Sequence, residues 1–389
     1  MKIVVLGGSG AMGQIIVRDL LENSNIPEIV IGELNYESAK KFASSLKNKR
    51  ICAQKVDVTD KKSLLVILEG ASVVINSTQY YFNMEVIQGA LEAGVHYTDL
   101  GGLFHYTRKQ LALKDEFKKK NLTAVLGSGS TPGMTNVMAA YAASKLDTVY
   151  SAHVKIGAVD FTKMDSPLAS PYSIQTILDE CTMNPMIFTK GKFQEVAPFS
   201  GKERVIFPPP VGDAEANYTL HSEVATFPLC FKDKGIREAS FRIAFPADFI
   251  SKLKLLVDLG LASDKPVEMK GAKIKPRNLL IKIISDQTPQ NIEPDDCDVI
   301  RVEVSGKKDK RKVQYTMESI VRPHPKWKVS AGALDTGVPA SIVGIMLAEG
   351  VITKRGVLAP EECIEPLNFF RELARRNINV YSVVKEELY

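Results

Sequence analysis

The chain opens on a short, nearly all-apolar run, Lys2 to Leu6, the pattern of a strand buried on both faces of a parallel sheet. Similar runs recur at Glu28 to Ile31, Ile51 to Val56, Ser72 to Asn76, His96 to Leu100 and Thr123 to Gly127, with helical stretches between them. This alternation predicts a doubly wound parallel α/β sheet. Past the glycine-rich segment Gly127 to Gly133 it stops, and Met134 to Leu146 reads as an amphipathic helix leaving the sheet. The runs Ala152 to Val159, Ala239 to Phe245, Asp298 to Val304 and Lys312 to Val321 then lie between Pro- and Gly-rich turns, predicting an α+β domain with a mostly antiparallel sheet. The basic run Lys307 to Lys312 reads as an exposed hairpin tip. Helical periodicity returns at Gly337 to Gly350 and Pro366 to Asn377. Residues 1–130 and 333–389 are therefore expected to form one domain, with 131–332 inserted as a second.

The first strand leads into Gly7-Gly8-Ser9-Gly10-Ala11-Met12-Gly13, which contains G-x-G-x-x-G at Gly8, Gly10 and Gly13. The first glycine permits a tight turn, the second lets backbone approach a pyrophosphate, and the third lets helix and strand pack closely. This is the fingerprint of a Rossmann-type nucleotide domain, with Ser9, Ala11 and Met12 supplying main-chain N–H groups at a helix start. Glu33 ends the second strand, where a carboxylate holds the adenosine ribose hydroxyls and repels a 2′-phosphate. No arginine follows in Leu34-Asn35, so NAD is the expected cofactor; an ordinary loop acid is the alternative. Ligands bind beyond the carboxyl ends of such strands, which puts Asp57 and Val58 by the adenine and Asn76, Ser77 and Asp99 toward the nicotinamide. Asp57 could instead cap a helix, and Asn76 could close a turn.

Composition narrows the partners. A chain of 389 residues with 45% hydrophobic and 24% charged residues suits two globular domains. The net charge of +5 is spread along the chain, which argues against nucleic acid. Five scattered cysteines without metal-ligand spacing predict neither zinc nor disulfides and suit a reducing compartment. No membrane segment or cleavable leader is read, so a soluble cytoplasmic protein is expected.

The fingerprint, together with Thr98-Asp99-Leu100-Gly101-Gly102, Thr131-Pro132-Gly133-Met134-Thr135-Asn136, Lys254 to Leu259, Lys275-Pro276-Arg277 and Gly350 to Val357, resembles the saccharopine dehydrogenase family. Within it the chain is most similar to the lysine 6-dehydrogenases. The resemblance implies hydride transfer between a nicotinamide and a carbon bearing an amine, on lysine or a lysine adduct. It equally covers carboxynorspermidine-type reductive condensation of an aldehyde with an amine. It also implies a homodimer or homotetramer assembled through the second domain. A non-catalytic scaffold retaining NAD is the remaining alternative. Around Pro171-Tyr172-Ser173-Ile174-Gln175 the family often carries a tryptophan after the serine, whereas Trp327 is the only tryptophan here.

Removing a proton from an amine calls for a carboxylate or imidazole beside the nitrogen. Asp99, next to Gly101 and Gly102 that would admit substrate, is the leading candidate, with a fixed counter-ion role as the alternative. Tyr80 and Tyr81 follow the fourth strand, where a phenol could reach substrate. His221 and Glu223 lie in a polar cluster of the second domain, and His105 follows the Asp99 loop. Arg242 is chosen to bind a substrate carboxylate, since a guanidinium offers two parallel hydrogen bonds; an outward-facing strand arginine is the alternative.

Overall fold

The computed structural model of the protein describes residues 1–163, 168, 173–287 and 293–388. The six early apolar runs become β1 (Lys2–Leu6), β2 (Glu28–Glu33), β3 (Ile51–Lys55), β4 (Val73–Asn76), β5 (His96–Asp99) and β6 (Thr123–Val125). They run parallel in the order β6-β5-β4-β1-β2-β3. Ile3, Val4, Val5, Val73, Val74 and Ile75 are wholly buried, because helices cover both faces of the sheet. The order reverses between β1 and β4, and the crevice at their carboxyl ends is where such sheets bind ligands.

The second domain contains β7 (Thr148–Asp160), β8 (Met186–Thr189), β9 (Lys192–Glu195), β10 (Glu203–Ile206), β11 (Asp213–Tyr218) and β12 (Glu238–Ala244). A small separate hairpin, β13 (Val267–Met269) and β14 (Ala272–Ile274), precedes the long pair β15 (Asp296–Lys308) and β16 (Arg311–Val321). The large sheet runs β10-β11-β12-β7-β15-β16, with the β8–β9 hairpin attached to β12. Only the β12–β7 pair is parallel among its described pairings. The turn at Asp309 and Lys310 is exposed, as the basic run predicts.

The chain then returns to the first domain. Helix Ala331–Ala348 packs on helix Ala11–Asn23 and on β4. A Cβ at Gly337 would lie 2.6 Å from Ile15 Cβ, and one at Gly344 2.4 Å from Ile75 Cδ1, so glycine permits this approach. By length and composition this helix could cross a membrane, yet it is mostly buried in the protein core. β17 (Gly356–Leu358) follows, adding a seventh parallel strand beside β6. The last strand, β18 (Val380–Glu386), leaves again and pairs with β16. Residues 380–386 thus depart from the expected division, which kept all of 333–389 in the nucleotide domain. Their strand is exposed along nearly its whole length and carries no buried-face alternation by which its sheet could be read.

Candidate active site

The glycine loop is built to receive a dinucleotide. A Cβ on Gly13 would stand 2.2 Å from the Gly7 carbonyl oxygen, so only glycine lets helix Ala11–Asn23 start this close to β1. The helix has no side-chain cap, which leaves its first N–H groups for an anion. Gly10 and Ala11 are exposed at the mouth. Glu33 reaches this loop: its Oε2 accepts from Ser9 Oγ at 2.9 Å and Ser9 N at 3.3 Å, and its Oε1 from Leu34 N at 3.2 Å. These residues fit a nicotinamide dinucleotide.

The other cofactor candidates are occupied structurally. Asp57 Oδ1 accepts from Thr59 N and Oγ1 at 2.9 and 2.6 Å, and these bonds hold its carboxyl below the usual range. Helix Lys61–Leu68 is capped by Asp60 instead. Val58 packs against the apolar cluster beside Leu64. Asn76 donates to Asn83 Oδ1 at 2.9 Å and accepts from Thr78, closing a turn. Ser77 Oγ donates to the Leu6 carbonyl at 2.6 Å. Asn76 and Ser77 therefore shape the crevice with backbone, and their side chains are spent inside it.

Asp99 stands apart from the expected acid/base role. It has no exposed surface, and four donors surround it. Oδ2 accepts from Tyr97 Oη at 2.8 Å and Gln110 Nε2 at 2.7 Å; Oδ1 accepts from Gly101 N at 3.0 Å and Gly127 N at 2.7 Å. Burial pushes its carboxyl up, and these bonds offset part of that rise. With both oxygens so engaged, Asp99 ties the loop after β5 to the loop after β6. Gly101 and Gly102 serve the same closure: a Cβ on Gly101 would meet Pro132 at 2.8 Å, and one on Gly102 would meet Tyr106 at 3.0 Å.

The second domain brings a different pair to this end of the sheet. Ser222 Oγ accepts from Gly102 N at 3.4 Å and from Thr107 Oγ1 at 3.1 Å, which sets His221 and Glu223 against the β5 loop. His221 Nδ1 bonds Glu223 Oε2, and Glu223 Oε1 accepts from Thr135 Oγ1 at 2.8 Å. The imidazole stacks on Phe241 at 3.7 Å between centroids. Burial alone would lower its pKa, but Glu223, with a smaller contribution from Glu180, raises it overall. An Nδ1–H held by Glu223 leaves Nε2 as the nitrogen that exchanges a proton. A separate set of buried carboxyls interacts in the interior. Asp335 shares a bond with Ser130 and is pushed up by burial and by Asp298, while Asp298 rises to about 7 through burial and Asp296.

Tyr80 and Arg242 depart from their expected roles. Tyr80 Oη donates to Asp179 Oδ2 at 2.8 Å, and Arg277, almost fully buried, bonds the other oxygen of Asp179. Burial and Asp179 push the Tyr80 phenol far above its ordinary value, so it cannot serve as a base. Tyr81 is partly exposed and lies edge-on to Tyr80 at 5.8 Å. Arg242 follows Phe241 along β12 and so faces the opposite side of the sheet from His221. Its guanidinium lies 3.9 Å from the Tyr218 ring centroid and donates to the Gly201 carbonyl and Ser240 Oγ. It is not available to a substrate carboxylate in this cleft. His105 is exposed. Ser173 caps helix Ile174–Thr182, while Pro171 and Tyr172 lie outside the described residues. Asp179, Gln110 and Asp335 gave no sequence signal, because only folding converts these ordinary polar positions into neighbours.

A parallel sheet with a glycine-loop nucleotide site, covered by a second α/β domain that adds a His–Glu pair, defines a dinucleotide-dependent oxidoreductase. Residues 3–125 match the saccharopine dehydrogenase NADP binding domain, and residues 129–378 the saccharopine dehydrogenase C-terminal domain. The chain belongs to the saccharopine dehydrogenase family. It is 24% identical to a carboxyaminopropylagmatine dehydrogenase of Synechocystis, covering 99% of this chain and 98% of that protein. It is also 24% identical to a carboxynorspermidine synthase of Vibrio cholerae, covering 91% of each. In fold it is similar to the L-Glu-forming saccharopine dehydrogenase of Saccharomyces cerevisiae, with a TM-score of 0.76, 18% identity and 99% of each chain covered. The homospermidine synthase of Legionella pneumophila, solved with NAD, superimposes with a TM-score of 0.68 and 15% identity, over 98% of this chain and 91% of that one.

Proposed function

We propose that the protein joins an amino-acid aldehyde to a primary amine of the polyamine type and reduces the resulting imine with NADH, forming a secondary amine. The observation that carries this reading is the buried His221–Glu223 pair set against the loop after β5, with the arginine expected for a substrate carboxylate, Arg242, held outside this cleft. The Glu223 carboxylate favours a cationic amine, while Arg242 and Arg277 are held elsewhere. Relatives named for carboxyaminopropylagmatine and carboxynorspermidine support it over lysine oxidation. NAD is favoured over NADP by Glu33, whose carboxylate faces the glycine loop.

The amine attacks the aldehyde carbon, and the adduct loses water once its hydroxyl is protonated. His221 Nε2 is the atom to supply that proton, with Glu223 stabilising the imidazolium before it and Thr135 fixing the carboxylate. A nicotinamide dinucleotide held by the glycine loop and Glu33 would supply the hydride for the reduction. The second domain covers the cleft and keeps bulk water from competing with the amine.

The test follows nicotinamide absorbance. NADH is offered with aspartate semialdehyde, which carries the carboxyaminopropyl carbon skeleton, and with agmatine, putrescine or 1,3-diaminopropane. NADH consumption that needs both partners is expected. Reduction of NAD by lysine or saccharopine, with no aldehyde–amine pair turned over, would overturn the proposal.

A further inference from the structure

Glu33 does not meet the cofactor site alone. Ser9 has one hydroxyl proton, and it goes to Glu33 Oε2 at 2.9 Å. The 3.1 Å bond between Ser9 Oγ and Ser38 Oγ must then be donated by Ser38. A directed chain results, from Ser38 Oγ–H to Ser9 Oγ–H to Glu33, reinforced by Ser9 N–H at 3.3 Å on the same carboxylate oxygen. Ser38 is itself fixed, since its N–H caps onto Asn35 Oδ1 at 3.2 Å at the start of helix Tyr36–Ser45. The remaining Glu33 oxygen takes Leu34 N–H at 3.2 Å, so the glycine loop and Glu33's own backbone pin the carboxylate, with Ser38 behind Ser9. Three of the carboxylate's four acceptor sites are then taken, and the one left on Oε1 can accept a ribose hydroxyl.

A carboxylate at this position excludes a 2′-phosphate only if it stays there. A glutamate has three rotatable bonds and swings away from an incoming anion unless it is held. We infer that Ser9 and Ser38 are specificity-determining positioning residues: by locking Glu33 across the mouth of the glycine loop, they convert an ordinary acid into a fixed barrier against NADP. Freed of that lock, Glu33 rotates out and leaves the helix N–H groups of the glycine loop, which suit a phosphate. The inference rests on the NAD preference proposed above.

Calorimetry of NADH and NADPH binding to the full-length protein tests it without any need for a turned-over substrate. Wild type is expected to bind NADH more tightly than NADPH. Ser9→Ala should narrow that ratio about tenfold, chiefly through tighter NADPH binding, and Ser38→Ala should narrow it by a smaller factor. In a Glu33→Ala background, Ser9→Ala should change the ratio no further, because the residue being positioned is gone. A ratio unmoved by either serine substitution, or moved equally with and without Glu33, overturns the positioning role. Wild-type protein that binds NADPH as tightly as NADH, for example by drawing in the exposed Lys55 opposite Glu33 in the β2–β3 register, overturns the NAD preference instead. Because both ligands are measured on each variant, a general loss of fold lowers both affinities and leaves the ratio in place, which counts against the inference.

Discussion

At the scale of single residues, Asp99 departs from the acid/base role that its chain position suggests, while His221, also a catalytic candidate from the sequence, stands paired with Glu223. A carboxylate at a strand end beside glycines looks like a catalyst, but Asp99 is saturated by four donors from three segments. Asn in its place offers one acceptor oxygen and sets an NH₂ group against two existing donors, a loss of roughly 2–5 kcal/mol. Asp99→Asn should therefore lower thermal stability and cofactor affinity together. Scanning calorimetry and NADH titration check this, and a variant with full stability and affinity but low turnover would restore Asp99 to the chemistry. Sequence could propose this residue, since an acid at a β-strand end is visible; it could not count the donors, which come from positions 97, 101, 110 and 127. Glu33 was legible for the opposite reason. Its partners Ser9 and Ser38 lie in the same βαβ unit, where short-range geometry is set by the motif itself.

At the scale of elements, the returning segment after helix Ala331–Ala348 does more than add β17. Its short helix Pro360–Cys363 carries Glu361, whose Oε2 accepts from Asn136 Nδ2 at 2.7 Å. Asn136 Oδ1 in turn accepts from Gly133 N at 2.9 Å, so this late helix braces the loop after β6. Burial raises the Glu361 carboxyl from 4.5 to about 7, with Thr226 and Asn136 pulling it partly back. The folded state thus keeps a proton that the unfolded chain releases, and stability falls as pH rises from about 4.5 to about 7. The full loss is on the order of 3 kcal/mol. Glu361→Gln keeps an acceptor for Asn136 and removes the titration. Its denaturation midpoint should gain on wild type steadily between pH 5 and pH 8; parallel curves would show that Glu361 does not titrate in this window. Elements such as β1 to β6 were readable because burial on both faces leaves continuous apolar runs. β17 and β18 were not, the first having three residues and the second lying exposed at a sheet edge.

At the scale of the whole molecule, Tyr80 links the two domains. It leaves the nucleotide domain after β4 and donates to Asp179 on helix Ile174–Thr182, which Arg277 holds from helix Pro276–Gln287. Tyr80→Phe removes one bond to an ionised acceptor, about 1.5–3 kcal/mol. Hydrogen exchange should speed up in helix Ile174–Thr182 while β1 to β6 remain protected. The pH dependence of turnover should keep its shape, because the phenol is held neutral throughout; loss of a titrating limb in this variant would make Tyr80 an acid or base after all. The periodicity of apolar residues and the spacing of Gly8, Gly10, Gly13 and Glu33 by themselves determined the nucleotide domain, since these depend on contacts within a few dozen residues. Which polar side chains are spent on holding loops was decided only by tertiary structure. His221 and the β5 loop are more than a hundred residues apart, and the bonds that spend Tyr80 and seat His221 beside that loop exist only once the two domains meet, while those that spend Asp99 and Arg242 join distant positions within one domain each.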